Sequence, residues 1–199
     1  REGGQAGEIV TKNEVIVEFG LEGVHKSGAV FDIKKLNWIN SQYIKMFNDE
    51  GLAEAAAPFV KKYFGEQPRD LILKITPMLR ERLEYFDQVK EFKFFFAEPE
   101  YEADLLVWKK SDRAGAKKAL ESVKEILGSK TEWEIFDEKY VRSELDQLAE
   151  KEFGGDRGAV YWPLRAALSG EKFSPDPVEI MKILGRDKTL NRIEKAINK

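Results

Sequence analysis

Apolar residues in this chain recur at three- and four-residue spacing, and nowhere do they alternate long enough to make a half-buried strand. Leu71, Ile75, Met78, Leu79, Leu83 and Phe86 form one such stripe, and Leu36, Ile39, Tyr43 and Phe47, with Trp38 beside them, form another. Leu190, Ile193 and Ile197 give a third. Such a chain buries its apolar faces by packing helix on helix, so the expected fold class is all-α. No repeat of about 20–50 residues is visible.

The helix ends can be read from their chemistry. Thr11 and Glu14 form a capping box, in which a hydroxyl and a carboxylate three residues apart each satisfy an orphan backbone N–H. A short helix to about Phe19 follows, then a loop, LEGVHKSGAV. Asp32 caps the next helix, and Gly51 restarts the chain. Pro58 lies inside LAEAAAPFVKKYF and predicts a kink or a break. Pro68 opens the helix that carries the first stripe, with Arg80 and Arg82 leaving it. KEFKFFFAEPEYE reads as an aromatic plug ended by Pro99. Ser111 to Leu127 is amphipathic and begins basic, and Gly128 stops it. A second capping box, Thr131 with Glu134, opens a helix to about Phe153. GGDRG then breaks the chain, and is the expected boundary between two helical subdomains. Beyond it come a helix over Ala159–Leu168, a loop, and a helix to Leu184 with Pro175 and Pro177 at its start. The last helix is expected to be capped by Asp187.

Composition narrows the chemistry. There is no cysteine, which excludes a disulfide framework, a thiol nucleophile, a thiolate zinc site and an iron–sulfur cluster. The single histidine, His25, sits beside Lys26 and Ser27; neighbouring residues rarely face each other productively, so it reads as a surface loop histidine. No Gly-rich phosphate loop, nucleophile elbow or HExxH motif is present. Paired carboxylates such as Glu132 with Glu134 read as a solvated helix face. No apolar run approaches the about 20 residues of a membrane span, and no signal peptide is expected before the first polar stretch. A cytoplasmic setting is compatible with the absence of cysteine. The chain opens on Arg1 rather than Met, and is expected to be a fragment of something longer.

The net charge of −3 hides strong polarity. Residues 109–118 carry net +4, residues 182–199 net +4, and residues 132–156 net −6. Polarised charge can steer a polyanion to one face even when the total is acidic. Phe92, Phe94, Phe95 and Phe96 could stack on bases, but in a helical chain they read better as core. Arg80, Arg82 and Arg165 are the notable polar residues, since arginine reads base edges, stacks on bases and grips phosphate. A surface salt bridge is the plain alternative for each. The small residues around Arg165, in YWPLRAALSG, would let a partner approach closely.

Two long segments carry a resemblance. HKSGAVFDIKKLNWINSQYIK resembles the segment after the KMSKS-type loop of bacterial glutamyl-tRNA synthetases, and VYWPLRAALSGEKFSPDPVEIMKILGRDKTLNRIEKAI resembles the extreme C-terminus of that family. The likeness covers nearly all residues from about 9 to 199, least distinctively over 97–130. It implies a class I aminoacyl-tRNA synthetase without its catalytic half, because neither ATP-binding signature, the HIGH-type or the KMSKS-type, is in this sequence. ATP and magnesium would then belong to the parent enzyme, and the fragment alone should not activate glutamate. The resemblance implies the end of a stem-contact region over 1–47 and two helical anticodon-binding subdomains, 48–153 and 154–199, forming the helical cage of the bacterial type. Eukaryotic cytosolic relatives use β-barrels instead.

The resemblance also implies residue roles. Arg82 in LRERLEYF matches the family position that contacts the third anticodon base. Arginine there goes with preference for cytosine, and glutamine with tolerance of glutamine tRNA. A guanidinium offers only donors, which suits the acceptor edge of cytosine, although O6 and N7 of guanine accept as well. Arg165 matches an arginine that helps hold the splayed anticodon. Ser174, Pro175 and Pro177 match a loop that packs on an anticodon base. The family often has threonine and leucine at the first and third of these; Ser174 keeps a hydroxyl, and Pro177 departs from the pattern. Lys26, Ser27, Lys34 and Lys35 are expected at the tRNA backbone.

Two functions follow. One is a monomeric tRNA-binding part of glutamyl-tRNA synthetase, with tRNA-Glu as partner. The other is an acidic helical protein–protein interaction module without RNA binding. Convergence of the two basic segments and Arg165 on one face would favour the first; pairing of those cations with carboxylates would favour the second.

Overall fold

The computed structural model describes residues 9–23, 28, 30–129 and 137–199. Among them every regular element is helical. The chain divides into two compact units, 1–91 and 92–199. GGDRG lies inside the second unit, so the division falls elsewhere than that break suggests. Its two glycines adopt positive φ, +59° at Gly154 and +80° at Gly155, and turn one helix directly into the next.

The first unit contains α1 (Lys12–Glu18), α2 (Ile33–Lys45), α3 (Asp49–Phe64) and α4 (Arg69–Arg82). The Thr11–Glu14 capping box is formed on both sides. Asp32 caps α2 by accepting from the Lys34 and Lys35 amides at 2.8 and 3.2 Å. The core of this unit comes from α3 and α4: Leu52, Ala53, Ala56 and Val60 on one, Ile72, Ile75, Met78 and Leu79 on the other. Phe86 stacks on Phe59 at 5.4 Å between ring centres.

Pro58 does not break α3, which runs unbroken through it with the ring exposed. α4 likewise contains Pro77. That proline removes the N–H due to bond the Leu73 carbonyl, and the buried Thr76 hydroxyl donates to the same carbonyl at 2.8 Å. The stripe expected on α2 is largely uncovered: Leu36 is 47% exposed, and Ile44 is the helix's one buried residue.

The second unit contains α5 (Arg113–Gly128), α6 (Glu138–Glu152), α7 (Arg157–Ser169), α8 (Pro177–Leu184) and α9 (Arg186–Ile197). α7 packs against all four of the others. It is apolar on almost every side, as a central helix must be, and its small residues serve the protein's own packing. Ala166 and Ala167 are buried under neighbouring helices, which corrects the expectation that they leave room for a partner. Gly158 is required for the same reason, since a Cβ there would lie 2.3 Å from the Trp108 ring. Phe92, Phe94 and Phe95 are buried, so the aromatic run is core and not a base-stacking platform.

α9 starts two residues earlier than expected. Gly185 ends α8 by donating to the Met181 carbonyl and also occupies the cap of α9, leaving no side-chain cap; Asp187 lies in the first turn. The Thr131–Glu134 capping box lies outside the described residues, and the observed α6 is capped by Asp137.

Candidate nucleic-acid interface

The residues singled out above fall in both units. In the first, Lys34 and Lys35 are exposed in the opening turn of α2, and Arg82 is exposed as the last residue of α4. Arg80, two residues back along the sequence, forms an ion pair with Asp49, and its buried Nε has no acceptor among the described residues. Lys26 and Ser27 lie outside the described residues, as does His25.

In the second unit, Arg165, Ser174, Pro175 and Pro177 belong to one continuous piece: the end of α7, the loop 170–176, and the start of α8. Arg165 is half-buried, and no carboxylate pairs with its guanidinium among the described residues. That separates it from most cations of this unit. Ser174 and Pro175 are half-buried in the loop, and the Ser174 hydroxyl donates to the Pro175 carbonyl at 3.1 Å. Pro177 is buried as the first residue of α8, where its fixed φ and missing N–H suit a helix start. It therefore shapes the loop and offers no open face to a base.

The loop is held at both ends. Gly170 takes the left-handed conformation, φ +69°, and closes α7 by donating to the Ala166 carbonyl. The buried Ser169 hydroxyl donates to the Arg165 carbonyl at 2.8 Å and accepts from the Glu171 amide at 3.1 Å. Glu171 pairs with Lys93 at 2.8 Å. At the far end Asp176 caps α8 through the Val178 amide at 2.8 Å and pairs with Arg142 at 2.7 Å. That carboxylate pushes the Arg142 pKa further up.

A residue that sequence reasoning placed on the wrong side of the surface also supports this loop. Arg192, counted in the basic C-terminal segment, is 3% exposed. It donates to the Leu168 carbonyl at 2.6 Å and to the Ala97 carbonyl at 3.1 Å. The first of these is an orphan carbonyl of the last turn of α7, so Arg192 caps the helix from which the loop departs. Burial lowers its pKa, opposed by the nearby Glu98 carboxylate. The signal for it was positional: an arginine between Thr189 and Ile193 on the inward face of an amphipathic helix.

About half of the other cations of the two basic segments pair with carboxylates within the unit. Arg113 pairs with Asp104 at 2.6 Å, Lys118 with Glu152 at 3.1 Å, Lys182 with Glu138 at 2.9 Å and Lys195 with Glu98 at 2.9 Å. These pairs reduce the positive field that net +4 segments would project. Near the α7–α8 loop, Arg165 and the exposed Lys172 remain for an anion. Phe173 next to it is 90% exposed and was not singled out in the sequence, because it belongs to no periodic stripe.

No helix among the described residues is long and apolar enough to cross a membrane. Residues 51–197 match the family described as Anticodon binding domain. The chain is 35% identical over 199 residues to a glutamate–tRNA ligase of Clostridium tetani, covering 98% of this chain and 40% of that ligase. A glutamate–tRNA ligase of Chloroherpeton thalassium is 31% identical, covering 96% of this chain and 39% of that ligase. A solved structure of a glutamate tRNA ligase from Elizabethkingia meningosepticum aligns with a TM-score of 0.78 at 30% identity, over 96% of this chain and 37% of that one. The chain thus spans about 40% of the length of the curated relatives it matches. It belongs to the anticodon binding domain family, in the form carried by glutamate–tRNA ligases.

Proposed function

We propose that this chain binds tRNA through the unpaired bases of the anticodon, as the C-terminal part of a glutamate–tRNA ligase. The observation that carries the reading is the match of residues 51–197 to the anticodon binding domain. Sequence-specific RNA recognition targets single-stranded loops, whose base edges and faces are open. In this reading Arg82 contacts the third anticodon base, and Arg165, Ser174 and Pro175 hold the splayed loop. Lys26, Ser27, Lys34 and Lys35 lie along the tRNA backbone, within a stem-contact region that ends near residue 47. The protein acts as a cytoplasmic monomer. ATP-dependent attachment of glutamate to tRNA-Glu belongs to the rest of such a ligase, since neither ATP-binding signature occurs in these 199 residues.

The test is binding of the chain to tRNA-Glu and to the same tRNA with the third anticodon cytosine changed to guanine, at low and moderate salt. Cytosine should be preferred about tenfold, the scale of one specific base contact. Arg82→Gln should erase that preference, while salt should weaken both complexes alike. Equal binding to both tRNAs would remove the discriminating role of Arg82. The pairing of some cations of both basic segments with carboxylates favours the rival reading, an acidic helical interaction module. Absence of binding to either tRNA at low salt would select it.

A further inference from the structure

We infer that Phe173 is a base-stacking residue, its ring laid against an unpaired base of the bound RNA. The inference rests on the tRNA-binding reading and adds a contact to it. Phe173 is 90% exposed, whereas Phe92, Phe94 and Phe95 of the same unit are each 6% exposed or less. This exposure does not come from a loose loop. Gly170 is fixed in the left-handed conformation and packed so closely that a Cβ there would meet Pro99 at 2.9 Å. Glu171 is bonded to Ser169 and Lys93. Pro175 restricts the backbone after Ser174, and Asp176 is tied to Arg142 and to the start of α8. Between these anchors Lys172 and Phe173 are left at the tip, both exposed. A ring presented this way loses little freedom when something stacks on it.

The surroundings choose the partner. A protein or membrane contact needs a contiguous apolar patch. Among the described residues of the second unit, the only other large apolar side chain counted as exposed is Tyr140, on α6. A lone aromatic ring beside a lysine, following a helix whose Arg165 has no carboxylate partner among the described residues, suits a base and its phosphate instead. Every base has a π-face, so stacking contributes affinity without demanding one base, while Lys172 supplies charge to the adjoining backbone.

The experiment uses the whole chain and a tRNA-Glu transcript in which a fluorescent base analogue replaces one unpaired anticodon-loop base at a time. Wild type should change the emission at one position more than at the others. Phe173→Ala and Phe173→Leu should both lose that change and weaken binding about tenfold, the scale of one stacked base. Phe173→Trp should restore both, because an aromatic face rather than apolar bulk is what counts. Phe173 is exposed, so all three variants should keep the wild-type circular dichroism and melting midpoint. If Phe173→Ala and Phe173→Leu bind and report like wild type, the stacking role is overturned and tRNA binding stands. If Phe173→Leu alone keeps wild-type affinity, the contact is apolar and not stacking, which also overturns it. If wild type binds no tRNA, the underlying reading fails and takes this one with it.

Discussion

α2 and α7 have the same length, 13 residues, and the same kind of start, an aspartate that accepts backbone N–H bonds. α2 buries one residue and α7 buries eight. Asp32 and Asp156 do the same local work, and both sequences carry large apolar residues. The difference lies in what surrounds each helix. α7 is packed by α5, α6, α8 and α9, while α2 packs on α4. A cap and a period are enough to specify a helix; how much its apolar face stabilises the protein depends on elements far away in sequence.

The sharpest way to break this comparison is to truncate one leucine in each helix. Leu168→Ala should destabilise the protein by about 2–5 kcal/mol, because it leaves a cavity on a fully buried face. Leu36→Ala should cost less than about 1 kcal/mol, the usual range for a side chain nearly half exposed. Urea unfolding of both variants checks the pair, and equal losses would mean that α2 is covered in solution.

Next in size is Arg192→Ala. It strips the donors from the Leu168 and Ala97 carbonyls and should cost about 2–3 kcal/mol by urea unfolding. It should also weaken tRNA binding if the end of α7 must be held to present the loop.

The two caps give a finer comparison. Asp32→Ala should cost about 1 kcal/mol, the ordinary worth of an N-cap. Asp156→Ala should cost about twice that by the same cap scale, because Asp156 also accepts from the Trp108 indole at 3.1 Å. Thermal melts of the two variants side by side measure the excess.

The smallest effects are those of pH, and they too differ between units. Lys62, with Tyr63 and Lys90, holds the Asp87 carboxyl well below the usual carboxylate range. Lys195 does the same more mildly for Glu98. A depressed folded pKa gives stability that is complete above the unfolded value, 3.8 for Asp87 and 4.5 for Glu98, and is lost as pH falls further. Both units should therefore weaken in acid. Burial pushes the Tyr101 phenol of the second unit up from 10.0 to about 12. Its contribution is complete below pH 10.0 and is lost as pH rises through about 12. Melting midpoints across pH should fall at both ends, and Tyr101→Phe should flatten the alkaline fall.

Structure adds to the sequence reading at several places. Pro58 leaves α3 unbroken, and at Pro77 of α4 the Thr76 hydroxyl serves the freed Leu73 carbonyl. GGDRG reads as a boundary between subdomains, since glycine pairs serve boundaries and tight turns alike; both glycines have positive φ and lie inside the second unit. The basic segments read as an RNA-facing field, since their partners are remote: Lys195 meets Glu98 across 97 positions and Lys182 meets Glu138 across 44. Arg165 could be read from its isolation among apolar neighbours. Phe173 could not, because only the pinned loop leaves that ring outside.

The amino-acid order by itself determined the helices, the caps at Thr11 and Asp32, and the burial of Phe92, Phe94 and Phe95. Those depend on groups within a few residues of one another or on apolar mass alone. Only the tertiary structure decided which stripes are covered, which cations are neutralised, and which residues at the α7–α8 loop face solvent. Each of these is set by side chains brought together from distant parts of the chain, and a pairing of that kind leaves no periodic trace in the sequence.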